Sequence, residues 1–200
     1  MTSIQETAVR LEIPAYHRFR AGIEARSFDV ETQLEMLVED RLLQERNLRG
    51  RVLDIGTGQG GSYKALTKYS DDITTIEPRE EIAHLLISDG IVPENRLIVP
   101  QDGDWLSGVS GKFDLITALH LFGGDYDIPV QDLHQRLVQL LSPGGQLMYT
   151  AQPDQLASVR YDMLFGDLPL IMGTLPITIK GYGVGPDNTI LILTNNMTRN

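Results

Sequence analysis

From Val52 to Gly61 the chain reads Val52-Leu53-Asp54-Ile55-Gly56-Thr57-Gly58-Gln59-Gly60-Gly61, an apolar β-prone run that enters a glycine-dense turn. Glycines at such a turn permit left-handed dihedrals and let a ligand approach the backbone with no Cβ in the way. A helix opening directly after it turns free N–H groups toward whatever lies above the strand tip. Asp54 precedes the first glycine by two residues, and its carboxylate could address an ammonium group directly or through water. Glu77 closes the next β-prone run, where a carboxylate can accept hydrogen bonds from both hydroxyls of a ribose. After the third run comes Gln101-Asp102-Gly103-Asp104-Trp105-Leu106, with acid, glycine and aromatic side by side. An acid can accept from an adenine amino group, a backbone N–H can donate to a ring nitrogen, and an aromatic can stack on the base. The spacing Gly56-x-Gly58-x-x-Gly61 also satisfies the dinucleotide fingerprint, so the turn by itself leaves NAD open as a ligand and an oxidoreductase as a function.

These groups meet only if the tips of several strands meet. Short β-rich runs alternate with helical patterns along the chain, the signature of a parallel sheet covered by helices. Strands are predicted over Arg51–Ile55, Ile73–Glu77, Leu97–Val99, Phe113–Leu119 and Gln146–Ala151. Two more, Ile177–Tyr182 and Thr189–Thr194, flank Gly183-Val184-Gly185-Pro186-Asp187-Asn188 and read as an antiparallel hairpin about those turn residues. Helices are predicted over Phe28–Arg49, Ser62–Tyr69, Glu80–Asp89, Val130–Leu141 and Asp154–Phe165. The first of these ends at Gly50, a residue suited to the left-handed position beyond a helix. The fourth is broken by Pro143-Gly144-Gly145. The expected fold class is therefore α/β: an open, mostly parallel, seven-stranded sheet with helices on both faces, a C-terminal antiparallel hairpin and an N-terminal helical segment.

Composition narrows the function. The chain has 200 residues, no cysteine, and 17 basic against 27 acidic side chains, a formal charge of −10. Without cysteine there is no disulfide scaffold, thiolate metal site or thiol nucleophile. A chain so acidic is repelled by a phosphate backbone, which speaks against nucleic acid as partner. The basic residues Arg10, Arg18, Arg20 and Arg26, with His17, are a local exception that reads as a solvated helical face. No apolar run approaches the ~20 residues that span a bilayer, and Met1–Glu12 lacks a signal-peptide core, so the default expectation is a cytoplasmic protein with no membrane partner. His/Asp/Glu residues show no metal-ligand spacing, and no metal is expected.

Taken in order, these segments resemble the class I S-adenosylmethionine-dependent methyltransferases. The resemblance runs from about Gly50 to the end of the chain. It rests on Val52–Gly60, Glu77, Asp102-Gly103-Asp104-Trp105-Leu106, Phe113-Asp114-Leu115-Ile116, Leu141-Ser142-Pro143-Gly144-Gly145-Gln146-Leu147 and the closing hairpin. It implies a Rossmann-like fold, with residues 1–49 as an N-terminal helical lid or extension and 50–200 as one S-adenosylmethionine-binding unit. Carried over residue by residue, Gly56, Thr57 and Gly58 would lie under the methionine part of the cofactor, with Asp54 near its amino group. Glu77 would hold the ribose and Pro78 would pack on the adenine. Asp102 would take the adenine amino group beside the Gly103 backbone, with Asp104 a second candidate for that acid. Trp105 and Leu119 would complete the cofactor site.

The acceptor is expected at Ala118–Asp127 after the fourth strand and at the segment after Thr150, because open α/β sheets bind ligands at the carboxyl ends of their strands. His120 is the candidate general base there, against the plainer reading of a polar strand-end residue. Phe122 and Tyr126, with Tyr16 and His17 of the N-terminal segment, are candidate walls of the acceptor pocket. No Asn/Asp-Pro-Pro-aromatic tetrad follows the fourth strand, which argues against amino-methylation of DNA bases. The apolar stretch Phe165–Leu175 suits either a flap over a hydrophobic substrate or the interface of a homodimer. The expected function is methyl transfer to oxygen or nitrogen of a small-molecule acceptor; the alternative is a non-catalytic cofactor-binding or scaffold subunit with a protein partner.

Overall fold

A computed structural model describes residues 30–39, 41–100, 103–119, 130–151, 177–185 and 188–195. Within them, helices α1 (Val30–Glu39) and α2 (Glu45–Leu48) precede strand β1 (Val52–Ile55). Then follow α3 (Gly61–Leu66), β2 (Ile73–Ile76), α4 (Glu80–Ser88), a 3₁₀ turn (Glu94–Arg96) and β3 (Leu97–Ile98). The order closes with β4 (Phe113–Ala118), α5 (Val130–Leu140), β5 (Leu141–Ala151), β6 (Ile177–Gly185) and β7 (Asn188–Asn195). The strands form one sheet in the order β3-β2-β1-β4-β5-β7-β6. Pairing is parallel from β3 through β5 and antiparallel for β5–β7 and β6–β7.

Successive strand residues point to opposite faces, and both faces are apolar because both are covered. One face collects Leu53, Ile55, Phe113, Ile116 and Leu147 against Leu133, Leu137 and Val138 of α5. The other collects Val52, Ile73, Leu115, Met148 and Ile192 against side chains of α1 to α4, among them Leu34, Leu37, Leu48, Leu66 and Leu86. Helices α1 and α2 thus pack into the same core as the strands that follow them. No helix among the described residues is long and apolar enough to cross a membrane.

Three boundaries differ from the sequence expectation, each for a local reason. The helix predicted over Phe28–Arg49 is two helices, broken at Arg41, whose φ is +58°. Arg41 N–H donates to Val38 O at 3.0 Å and Leu42 N–H to Leu37 O at 2.9 Å, the double bond of a Schellman ending. The motif places an arginine in the left-handed position that sequence reading reserves for Gly50. Gly50 is absent from the positive-φ residues, and its small size serves a close approach instead: a Cβ there would lie 2.3 Å from Asp114 Oδ2. At the other end, Gly183 to Gly185 and Asn188 belong to β6 and β7, not to a six-residue turn, and the irregularity sits between Gly183 and Gly185. Strand β5 also starts earlier than predicted, at Leu141 opposite Phe113, then jumps register to pair Gln146 with Leu115. The helix predicted at Asp154–Phe165 and the apolar Phe165–Leu175 stretch lie outside the described residues.

The α1–α2 junction is held by one side chain of β5. Gln146 is 1% exposed. Its Nε2 donates to Leu42 O at 2.8 Å and to Thr194 Oγ1 at 3.2 Å. Its Oε1 accepts from Gln44 N at 2.8 Å and from Asn47 Nδ2 at 3.0 Å. A polar group so enclosed is costly to remove because its partners stay buried without replacement bonds. Gln146→Leu is expected to lower stability by about 2–4 kcal/mol. Urea unfolding checks it: a lowered midpoint at unchanged slope is expected, and an unshifted midpoint would show the junction held elsewhere.

Candidate functional site

The parallel register puts Asp54 of β1 opposite Thr75 of β2 and Thr117 of β4. Residues paired in this way point to the same face, here the face covered by α3. Asp54 is 1% exposed. Its Oδ1 accepts from Thr117 Oγ1 at 2.7 Å, and its Oδ2 from Ser62 Oγ at 2.7 Å and Thr75 Oγ1 at 3.3 Å. Thr57, itself 5% exposed, adds a hydroxyl 3.2 Å from Ser62 Oγ. Burial pushes the Asp54 carboxyl above its ordinary range, and the hydroxyl hydrogen bonds pull it back only in part. The carboxylate is enclosed by the protein's own hydroxyls, which gives Asp54 an architectural role at the base of the glycine turn.

The glycine turn follows at once. Gly56, Gly58 and Gly60 have φ of +72°, +57° and +82°, so the turn is built in the left-handed region that residues with a Cβ avoid. Gly56 N–H donates to Ile76 O at 2.8 Å, tying the turn to the tip of β2. One residue further along, Glu77 is fully buried. Its Oε2 accepts from Gly58 N–H at 2.8 Å. Its Oε1 accepts from Arg79 N–H at 3.1 Å and from Arg79 Nε at 2.8 Å. A carboxylate offers about four acceptor places, two on each oxygen. Oε1 is thus filled by Arg79, while Oε2 keeps one place. The Arg79 side chain is 45% exposed, and its Nη2 lies 3.8 Å from where a Gly58 Cβ would stand. The guanidinium therefore lies beside the glycine turn as well as on Glu77.

The segment after β3 is anchored to the opposite face. Gly103 has φ of +73°. Asp104 Oδ1 accepts from Leu106 N–H at 3.1 Å and from Arg136 Nη1 at 2.6 Å, and Oδ2 from Arg136 Nη2 at 3.2 Å. Arg136 of α5 holds the Asp104 carboxyl below its ordinary range, with the Leu106 amide adding to the effect. Asp104 is thereby engaged as a brace between this segment and α5. Trp105 is partly buried against the α5-side cluster, which includes Leu106. Pro78 is half-buried beside Glu77, and Leu119 is 7% exposed at the end of β4.

The structure brings together Asp54, Thr57, Gly56, Gly58, Glu77 and Pro78 at the tips of β1 and β2. Asp102, His120, Phe122, Tyr126, Tyr16 and His17 lie outside the described residues. Sequence reading missed Ser62, Thr75, Thr117, Arg79 and Arg136. Arg79 had a local signal, two residues after Glu77; the hydroxyls had none until the register was known. Among the described residues, no cluster of three or more His, Asp and Glu side chains could hold a metal ion.

The glycine turn at the carboxyl end of β1, the acid at the tip of β2 and the sheet order with its antiparallel β7 define a class of protein, and the comparisons agree. The chain belongs to the methyltransferase-domain family, which matches residues 29–176. No curated protein sequence matches it. Its fold is similar to that of a methyltransferase from Pyrococcus furiosus, at 21% identity and TM-score 0.55, covering 84% of this chain and 83% of that one. It is similar also to the O-methyltransferase TomG of Streptomyces achromogenes, involved in tomaymycin synthesis and crystallised with S-adenosylmethionine, at 19% identity and TM-score 0.55, covering 86% and 82%. The N-methyltransferase NodS of Bradyrhizobium japonicum is a third, at 15% identity and TM-score 0.53, covering 84% and 95%.

The Asp54 environment has a consequence for pH. With the folded-state pKa above the unfolded one, the folded protein keeps this proton where the unfolded chain has released it. Stability then falls as pH rises from the ordinary carboxylate value through the folded one. Asp54→Asn removes that loss. The stability of the variant relative to the parent should move in its favour between about pH 3 and about pH 8. Urea unfolding at both pH values checks the sign, and a constant difference would mean that the buried carboxylate carries no penalty.

Proposed function

We propose that the chain is an S-adenosylmethionine-dependent methyltransferase that transfers a methyl group to oxygen or nitrogen of a small-molecule acceptor. The observation that carries the reading is Glu77: a carboxylate at the tip of β2, hydrogen-bonded to the Gly58 amide of the glycine turn at 2.8 Å. That pairing places an acceptor for ribose hydroxyls beside a backbone that a ligand can approach closely. The residues present fit the cofactor, since Oε2 of Glu77 retains an acceptor place and the turn presents no side chain at Gly56 or Gly58. Gly56, Thr57 and Gly58 would lie along the methionine part, Glu77 would hold the ribose and Pro78 would pack on the adenine. Asp102 is the better candidate for the adenine amino group, because Asp104 is committed to Arg136.

When bound, the cofactor supplies an electrophilic methyl on a sulfonium sulfur. The chain's part is to align the acceptor atom with that carbon and exclude water. A base is needed only where the acceptor is protonated at working pH, and His120 is the residue assigned to it. Phe122, Tyr126, Tyr16 and His17 are assigned to the acceptor pocket. Residues 1–49 are assigned to a lid or extension, of which α1 and α2 pack into the core. The similar folds that carry O- and N-methyl transfer in their names support oxygen or nitrogen as the acceptor atom, the one involved in tomaymycin synthesis supports a small acceptor, and the formal charge of −10 supports one other than nucleic acid.

Thermal unfolding with S-adenosylmethionine, S-adenosylhomocysteine and NAD tests the cofactor. A specific ligand at about 100 times its Kd adds about 2.7 kcal/mol, a rise of about 5–10 °C for a chain this size. The rise is expected with the two adenosyl compounds alone; a rise with NAD alone would replace the proposal by a dinucleotide enzyme. Glu77→Gln, which exchanges one acceptor oxygen for a donor, should weaken S-adenosylhomocysteine binding by about 1–3 kcal/mol in calorimetry. Unchanged affinity would remove Glu77 from the ribose.

A further inference from the structure

The turn after β3 is held from two sides that supply different things. Leu106 is 5% exposed and lies in the core cluster that contains Leu133 and Leu137 of α5, with Trp105 packed against that cluster. Apolar burial of this kind fixes how deep the segment sits but is non-directional, so it does not aim a peptide group. Direction comes from Asp104. Its Oδ1 accepts from Leu106 N–H at 3.1 Å, and its backbone O accepts from Ser107 N–H at 3.0 Å, which closes the turn. Arg136 of α5 then grips the carboxylate at both oxygens, Nη1 to Oδ1 at 2.6 Å and Nη2 to Oδ2 at 3.2 Å. A bidentate fork fixes a carboxylate in orientation as well as in place. The Arg136 side chain is 47% exposed and that of Asp104 45%, so the pair adds little to global stability, and what it supplies is position. The residue so positioned beside Asp104 is Gly103, exposed, with φ of +73°, where a Cβ would meet nothing within 4 Å.

We infer that Arg136 is a positioning residue for base recognition: through Asp104 it aims the Gly103 peptide at the adenine ring, and so sets the preference for adenine over hypoxanthine. The inference rests on the cofactor reading of the preceding subsection and adds the residue that makes recognition of the base selective. Adenine presents an unprotonated ring nitrogen, N1, beside an amino group, whereas hypoxanthine presents N1–H beside a carbonyl. A backbone N–H directed at N1 therefore meets an acceptor in the first and another donor in the second. Gain and penalty both depend on the aim, because a hydrogen bond weakens steeply as distance and angle leave their preferred range. A turn held by Leu106 alone keeps its depth and loses its aim.

Calorimetry with S-adenosylhomocysteine and S-inosylhomocysteine, which differ only in the base, separates this role from a general loosening. Arg136→Gln should bind S-adenosylhomocysteine about 3–10-fold more weakly than the parent, with S-inosylhomocysteine within about 2-fold, so that preference for adenine falls. Asp104→Asn, which keeps an acceptor oxygen for Leu106 N–H and loses the ion pair, should lose as much. The double variant should lose no more than either single one, because the two side chains act as one unit. Urea unfolding of each variant verifies its fold. Unchanged affinity, equal weakening for both ligands, or additive losses in the double variant would overturn the inference while leaving the cofactor assignment standing. Tighter binding of S-adenosylhomocysteine to Arg136→Gln would overturn it too, by making Asp104 itself the adenine acid. If S-adenosylhomocysteine binds neither the parent nor a variant, the cofactor assignment falls and the inference falls with it.

Discussion

The buried carboxylate of Asp54 is the constraint on which the centre of the molecule depends. An isolated carboxylate moved into a dry interior loses tens of kcal/mol of solvation, and no amount of neighbouring leucine offsets that. Donors must come to it, and they come from three other elements: Thr75 of β2, Thr117 of β4 and Ser62 of α3. Each hydroxyl contributes about 1.5–3 kcal/mol as a hydrogen bond to a charged group, so three of them recover part of the loss and leave the carboxyl pushed above its ordinary range. The same bonds fix the β2-β1-β4 register and the position at which α3 begins. A slip of one residue would turn Thr75 and Thr117 to the other face and leave the charge with nothing.

Glu77 shows the other solution to the same problem. It is as thoroughly buried, yet its donors are two backbone amides and a guanidinium. All three belong to segments beyond the strand tips, where the ladder has ended and amides are available. That difference separates the roles. The hydroxyls on Asp54 are inside the sheet, and rearranging them would unpick it. The Arg79 side chain on Glu77 is 45% exposed, and its bond to Glu77 is no part of the ladder. A buried charge whose donors lie outside the ladder can stand at a strand tip without fixing the register.

How much of this was legible in the sequence follows from the range of each interaction. The strands of the parallel sheet were readable to within a few residues from their apolar runs, and the glycine turn from composition alone. Glu77 was found because the end of a strand is a local property. Arg41 was not, since a non-glycine residue in the left-handed region is chosen by the Schellman bonds around it, not by its own preference. Gly50 was assigned the wrong reason: its partner, the Asp114 carboxylate, is far along the chain, and a clash avoided leaves no mark in local sequence. Thr75, Thr117 and Ser62 are ordinary residues for a strand or a helix start. They acquire meaning only when register brings their hydroxyls to Asp54. Gln146 likewise looks like one more polar residue after a Pro-Gly-Gly break, until Leu42 and Gln44 are seen to end on its amide.

This division also separates the tips of β1 and β2 from the connections beyond the other strands. The residues at the tips of β1 and β2 are constrained on every side, by ladder hydrogen bonds, by buried charge and by left-handed turns, so few side chains could stand there. The brace from Asp104 to Arg136 extends the same kind of constraint to the segment after β3, anchoring it to α5 across the sheet. A connection past a strand tip meets no such demand from the ladder. Side chains on such connections answer more to what they bind than to the fold. A sheet of this order can therefore keep one cofactor and change its acceptor by altering the connections alone. The chemistry on the acceptor side has to be read from the molecule it methylates.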